Sequence, residues 1–108
     1  STPQNIALAD AKKGVAMFKQ ETINVPVLGI VENMSFLELP NGERMHPFGQ
    51  GGGEKTAAHY KIELLAELPL DERVRLGGDV GVPVALSSDE DIAQPFSHLA
   101  AKIAHALP

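Results

Sequence analysis

Gly49-Gln50-Gly51-Gly52-Gly53-Glu54-Lys55-Thr56 is the stretch of this chain that comes nearest to phosphate chemistry. A P-loop needs G-x-x-x-x-G-K-S/T, so that backbone N–H groups and a lysine can cradle phosphates. Here Glu54 stands where the last glycine should be. Its Cβ and carboxylate would face the anions the loop must hold. The dinucleotide fingerprint fails at the same residue. The run reads instead as a glycine hinge that opens a helix. Asn33 is the second candidate. It follows an apolar run, and open α/β sheets bind ligands at the carboxyl ends of such strands. Its amide offers a donor and an acceptor together, a match to the paired edge of adenine; a plain turn residue fits the position as well. Pro69 ends the next apolar run and puts Leu68 to Asp71 near the same edge. Backbone there could line a base pocket, and strand termination explains Pro69 equally. Arg73 and Arg75 flank a helix start, open to phosphate or to solvent. Ser87-Ser88-Asp89-Glu90-Asp91 reads as a helix cap. The four histidines (His46, His59, His98 and His105) lack the i, i+4 spacing of a metal pair. No residue stands out as catalytic and none as a metal ligand.

The elements that must position these residues alternate. Thr2 and Pro3 suit a cap and a first helical position, and Leu8, Ala11, Val15 and Phe18 recur at helical spacing. A helix is expected over about 3–20. Val25-Pro26-Val27-Leu28-Gly29-Ile30-Val31 reads as a strand buried on both faces, as in a parallel sheet. Gly29 would allow a close backbone approach. Pro40-Asn41-Gly42-Glu43 is a turn signal, so a hairpin excursion outside the main sheet is expected over about 36–48. A helix over about 53–60, a strand over 63–68 and a helix capped by Asp71 over about 72–77 follow. Gly77 to Gly81 reads as a loop and Val82 to Leu86 as extended. Ser88 is expected to cap a last helix whose apolar stripe is Ile92, Phe96, Leu99, Ile103 and Leu107. Strands alternating with helices define an α/β protein.

Composition narrows the partners. The 108 residues suit one domain, 1–108, and 44% hydrophobic with 21% charged is an ordinary globular mix. Nine basic residues against fourteen acidic ones, a net charge of −5, disfavour nucleic acid. No apolar run is long enough for a membrane span, and no secretory signal opens the chain. With no cysteine, the chain itself supplies no disulfide, no Cys-ligated zinc and no thiolate-held cluster.

Several motifs stand in a telling order: Ser1-Thr2-Pro3-Gln4, Ala9-Asp10-Ala11-Lys12-Lys13-Gly14, Val27-Leu28-Gly29-Ile30-Val31-Glu32-Asn33-Met34-Ser35 and Phe48-Gly49-Gln50-Gly51-Gly52-Gly53-Glu54-Lys55. Leu68-Pro69-Leu70-Asp71-Glu72-Arg73-Val74-Arg75 and Gly77-Gly78-Asp79 complete them. Together they resemble the Mrp/ApbC family of MinD-like P-loop ATPases, which carry Fe–S clusters to target proteins. The resemblance implies the C-terminal half of a P-loop NTPase fold: an incomplete three-layer parallel sheet with flanking helices. The Walker loop and magnesium ligands would then lie upstream, leaving the Gly49 run a decoy. It also implies that Asn33 reads the adenine base and that Pro69 and Leu70 close the pocket. ATP and magnesium are the expected cofactors of the intact protein. The expected partners are a second copy and apo Fe–S proteins, with no nucleic acid and no membrane, in the cytoplasm.

One departure from the family pattern matters. The excursion after Glu-Asn-Met-Ser usually carries a C-x-x-C pair, and here Phe36-Leu37-Glu38-Leu39-Pro40-Asn41-Gly42-Glu43-Arg44 occupies that stretch, with Leu39 near the first Cys position and the second deleted next to Asn41-Gly42. Cluster binding in the usual way is therefore in doubt. The rival readings are a non-catalytic interaction module built on the hairpin, and a positioning ATPase of the MinD/ParA type. A sheet cut beside its middle would also leave an unpaired edge and favour self-association.

Overall fold

The central strand starts at Gly29 and not at Val25. In the computed structural model, which describes residues 1–107, β1 runs from Gly29 to Glu38 and β3 from Glu63 to Pro69. The two pair in parallel, with Gly29 opposite Glu63 and Glu32 opposite Glu67. Pro26 has no N–H to give a ladder, and β3 offers its first partner only opposite Gly29. The expected close approach at Gly29 is present: a Cβ there would lie 2.5 Å from the Glu63 carbonyl oxygen and 2.6 Å from Leu65 Cγ.

The hairpin forms, but its first arm is β1 itself. Leu39 N–H donates to the Glu43 carbonyl at 2.8 Å, and Gly42 N–H donates to the Leu39 carbonyl at 2.9 Å, with Gly42 at φ 85°. The turn lays β2 (Arg44–Met45) antiparallel on β1, with Leu37 opposite Met45 and Glu38 opposite Arg44. The sheet order is β2-β1-β3. The Ser1 ammonium donates to the Val31 carbonyl at 2.9 Å, and Asn33 N–H donates to the Ser1 carbonyl at 2.6 Å. Chain therefore lies along the edge of β1 away from β3 at both places. These contacts correct two expectations. The excursion belongs to the main sheet. The sheet is a small mixed one of three strands with flanking helices, not the incomplete three-layer parallel sheet expected. The turn at Gly42 is the physical cause, since it returns the chain onto the edge expected to stand open.

The helices are α1 (Asn5–Phe18), α2 (Gly52–Tyr60), α3 (Glu72–Val80) and α4 (Glu90–Ala106). α2 packs on β1 and β3, α4 on β3, and α1 on α2. The core joins Ile30, Phe36, Leu65 and Leu68 of the sheet to Val15, Ala57, Ile92 and Ala93 of the helices. Asp71 caps α3 as expected, accepting from Arg73 N–H at 2.9 Å.

Other boundaries moved. Thr2 does not cap α1: its hydroxyl hydrogen-bonds the Gln4 side chain, and the helix starts two residues after Pro3. Gly77 to Val80 continue α3, and Val84–Leu86 form a 3₁₀ turn instead of an extended piece. α4 is preceded by Asp89 and not by Ser88, with Ser87 Oγ accepting from Asp89 N–H at 3.1 Å. Among the described residues, no helix is long and apolar enough to cross a membrane.

Candidate functional site

The glycine run opens α2, and its first turn already holds an anion. Gly53 N–H donates to Glu32 Oε1 at 2.8 Å, and Glu32 is only 3% exposed. A carboxylate at a helix N-terminus answers both the unpaired N–H groups and the positive end of the helix dipole. A Cβ on Gly53 would stand 3.0 Å from Glu32 Oε1 and 3.1 Å from its Cβ, so glycine is what admits the side chain. Thr56 Oγ1 donates to the Gly52 carbonyl within the same helix. The seat a phosphate would need is thus filled by the protein itself, and the phosphate-loop likeness is a decoy for this structural reason.

Glu32 was missed as a functional residue by sequence reasoning, as were Ser35 and Glu67. Ser35 is 1% exposed, with Oγ at 2.5 Å from Glu32 Oε2 and 3.1 Å from Glu67 Oε2. The one available signal was two polar residues, Glu32 and Ser35, bracketing Asn-Met at the end of an apolar run.

Asn33 stands between them with its side chain exposed. Met34, next in the chain, is left-handed at φ 52°. The regular parallel ladder stops at Glu32 opposite Glu67 and resumes, shifted, at Phe36 opposite Pro69. Asn33 therefore sits at the carboxyl end of the regular ladder. Its Oδ1 accepts from Met34 N–H at 2.9 Å. Pro69 and Leu70 are half-buried beside Phe36, whose carbonyl accepts from Leu70 N–H at 2.7 Å. Both line a cleft of about 420 Å³ between the hairpin and the first turns of α3 and α4, with Leu37, Leu39, Asp71 and Arg73. Asn33 does not line that cleft. The fold brings Pro69 and Leu70 together and holds Asn33 apart from them, one β-bulge back along β1.

Neither arginine is free for phosphate. Arg73 binds Asp71 at 2.7 Å and Asp91 at 2.9 Å, tying α3 to α4. Arg75 is taken by Glu72 at 2.9 Å and Asp79 at 2.7 Å on its own helix. The hydrogen bonds from Arg73 hold both the Asp71 and the Asp91 carboxyls below their ordinary value of 3.8, against a smaller opposing effect of desolvation. Both groups therefore favour the folded state above about pH 4, and that contribution is lost as pH falls through their lowered folded values. In urea titrations at pH 7 and pH 3, Arg73→Gln is expected to show a smaller acid-induced drop in midpoint than the unaltered protein. An equal drop would show that the latch does not carry the acid sensitivity.

The histidines are dispersed. His46 Nδ1 lies 3.0 Å from the Ser35 carbonyl oxygen, while His59 meets Tyr60 edge-on. Among the described residues, no group of three His, Cys, Asp or Glu side chains could hold a metal ion.

Parallel strands joined through a helix, with polar groups at their carboxyl ends, place the chain among the α/β nucleotide-type sheets. Residues 1–104 match the family described as ParA, the NUBPL iron-transfer P-loop NTPases. The chain belongs to that family, the ATP-binding Mrp/ApbC-like carriers of Fe–S clusters.

An iron–sulfur cluster carrier protein of Pseudomonas fragi is 47% identical over 102 residues, covering 93% of this chain and 35% of the relative. One from Pyrococcus horikoshii is 40% identical over 108 residues, covering 99% of this chain and 36% of the relative. The chain thus spans about a third of the length of these curated relatives. A solved nucleotide-binding protein from Archaeoglobus fulgidus, in complex with ADP, is 41% identical with a TM-score of 0.63, covering 75% of this chain and 33% of that one. The cell division ATPase MinD of Pyrococcus furiosus shares the fold at a TM-score of 0.72 and 24% identity, covering 99% of this chain and 41% of that one.

Proposed function

We propose that this chain is the C-terminal part of an ATP-hydrolysing Fe–S cluster carrier, and that it supplies the base side of the nucleotide cleft. The observation that carries the reading is the exposed Asn33 amide, next to the left-handed Met34 and just past the end of the regular parallel ladder of β1 on β3. The amide reads the adenine edge, while Pro69 and Leu70 line a separate cleft one bulge further along β1. That the Archaeoglobus relative was solved in complex with ADP supports a nucleotide-binding role.

The residues present do not fit the phosphates or magnesium. Glu32 fills the glycine-rich anion seat at the start of α2, and Arg73 and Arg75 are bound to carboxylates. Those groups belong to residues outside this chain, so no hydrolytic step is assigned to it. The cluster is cargo, and this chain brings no thiolate to it. A homodimer in the cytoplasm that delivers to apo Fe–S proteins completes the reading. A second reading, an interaction module, is favoured by Leu37 and Met45. These paired residues of β1 and β2 are 37% and 48% exposed.

Asn33→Ala in the full-length protein decides between the two. A matched amide–base pair is worth about 1–3 kcal/mol of discrimination. The variant is therefore expected to bind ADP about tenfold more weakly and to lose its preference for ADP over GDP in calorimetric titration. An unchanged preference would remove the adenine reading and leave the interaction module.

A further inference from the structure

Glu32 and Ser35 are buried polar side chains that touch neither the cleft nor solvent, at 3% and 1% exposure. They bracket Asn33, the residue proposed to read the base, and the left-handed Met34. Ser35 Oγ to Glu32 Oε2, at 2.5 Å, closes a side-chain bridge across Asn33 and Met34. The bridge is anchored at two further points: Gly53 N–H donates to Glu32 Oε1 at 2.8 Å, and His46 Nδ1 lies 3.0 Å from the Ser35 carbonyl oxygen. Under it, Met34 holds φ 52°. Residues other than glycine keep that conformation only where their surroundings enforce it. Met34 N–H donates to Asn33 Oδ1 at 2.9 Å, so the backbone at the kink fixes the direction of the amide.

Resting on the adenine reading, we propose that Glu32 and Ser35 are positioning residues for Asn33. Their buried hydrogen bond holds the kink at Met34, and the kink aims the amide. The glycine run then has a use that phosphate binding did not give it. The α2 N-terminus is a strut that fixes Glu32, and Gly53 leaves the space for it.

Ser35→Ala removes the hydroxyl with little change of volume. In the full-length protein it is expected to weaken ADP binding about fivefold while GDP affinity stays within about twofold. Combined with Asn33→Ala it should add nothing further, because the bridge acts through that amide. Glu32→Gln keeps an oxygen for Gly53 N–H and an N–H for Ser35, and is expected to retain the ADP preference. Glu32→Ala should lose it, and this pair decides the matter if Ser35→Ala does not fold. Additive losses in the double variant, equal weakening of ADP and GDP by Ser35→Ala, or equal behaviour of the two Glu32 variants would overturn the bridge and leave the adenine reading intact. An Asn33→Ala protein that keeps its ADP preference would overturn both.

Discussion

Phe36→Ala is expected to remove about 3–5 kcal/mol of stability, the range for deleting a buried aromatic ring. The ring is 5% exposed and lies under the Arg44 guanidinium, whose carbon is 3.9 Å from the ring centroid. Three contacts converge on this residue. Its strand position pairs with Pro69, its carbonyl takes Leu70 N–H, and β2 packs over it through Arg44. A domain of this size holds roughly 5–15 kcal/mol in all, so the loss is a large fraction of the total. It should lower Tm by more than about 10 °C. Phe36→Leu keeps most of the volume and is expected to cost under about 1.5 kcal/mol. Thermal unfolding of both variants checks this. A loss below about 1 kcal/mol for the alanine variant would show that the ring does not hold the hairpin to β3.

Gly29→Ala is expected to cost about 2–3 kcal/mol, near the upper end for forcing atoms into a packed site. The added methyl would meet the Glu63 carbonyl oxygen at 2.5 Å, and that oxygen is backbone within the ladder. It cannot swing aside as a side chain would, so β1 and β3 must separate at their first pair. Gly14→Ala is the internal control. Nothing lies within 4 Å of its added Cβ, and it sits inside α1. Alanine there should stabilise by about 0.5–1 kcal/mol through helix propensity. Urea midpoints should thus move in opposite directions for the two substitutions. Equal shifts would deny the tight approach at Gly29.

Both predictions turn on pairings that the residues announce unevenly. Gly29 inside an apolar run signalled a close approach, and the approach is there. Phe36 carried no such signal. It was assigned to an excursion because Pro40-Asn41-Gly42 marks a turn and polarity returns at Glu32. The turn is real, yet β1 runs through Glu32 and on to Glu38 because the buried polar pair bond each other and Glu32 takes the Gly53 N–H of α2. The candidate site divides in the same way. Asn33, Pro69 and Leu70 could be named from strand ends alone. That Pro69 and Leu70 share a cleft while Asn33 stands one bulge away could not, because a bulge is a property of two strands in register.

From its sequence alone this chain determined the order of its helices and strands, the turn at Asn41-Gly42, that Asp71 would cap α3, that Glu54 spoils a phosphate loop, and that no thiolate is at hand for a cluster. Such features follow from intrinsic propensity, capping and side-chain chemistry, which act within a turn or two of chain. Only the tertiary structure decided that Glu32 fills the N-terminus of α2, that Ser35 bridges to it across the Met34 kink, and that β2 lies on the edge of β1. Gly53 lies 21 residues from Glu32 along the chain. A buried carboxylate or a strand edge is settled by whatever group packs against it, and local residue pattern does not say which group that is.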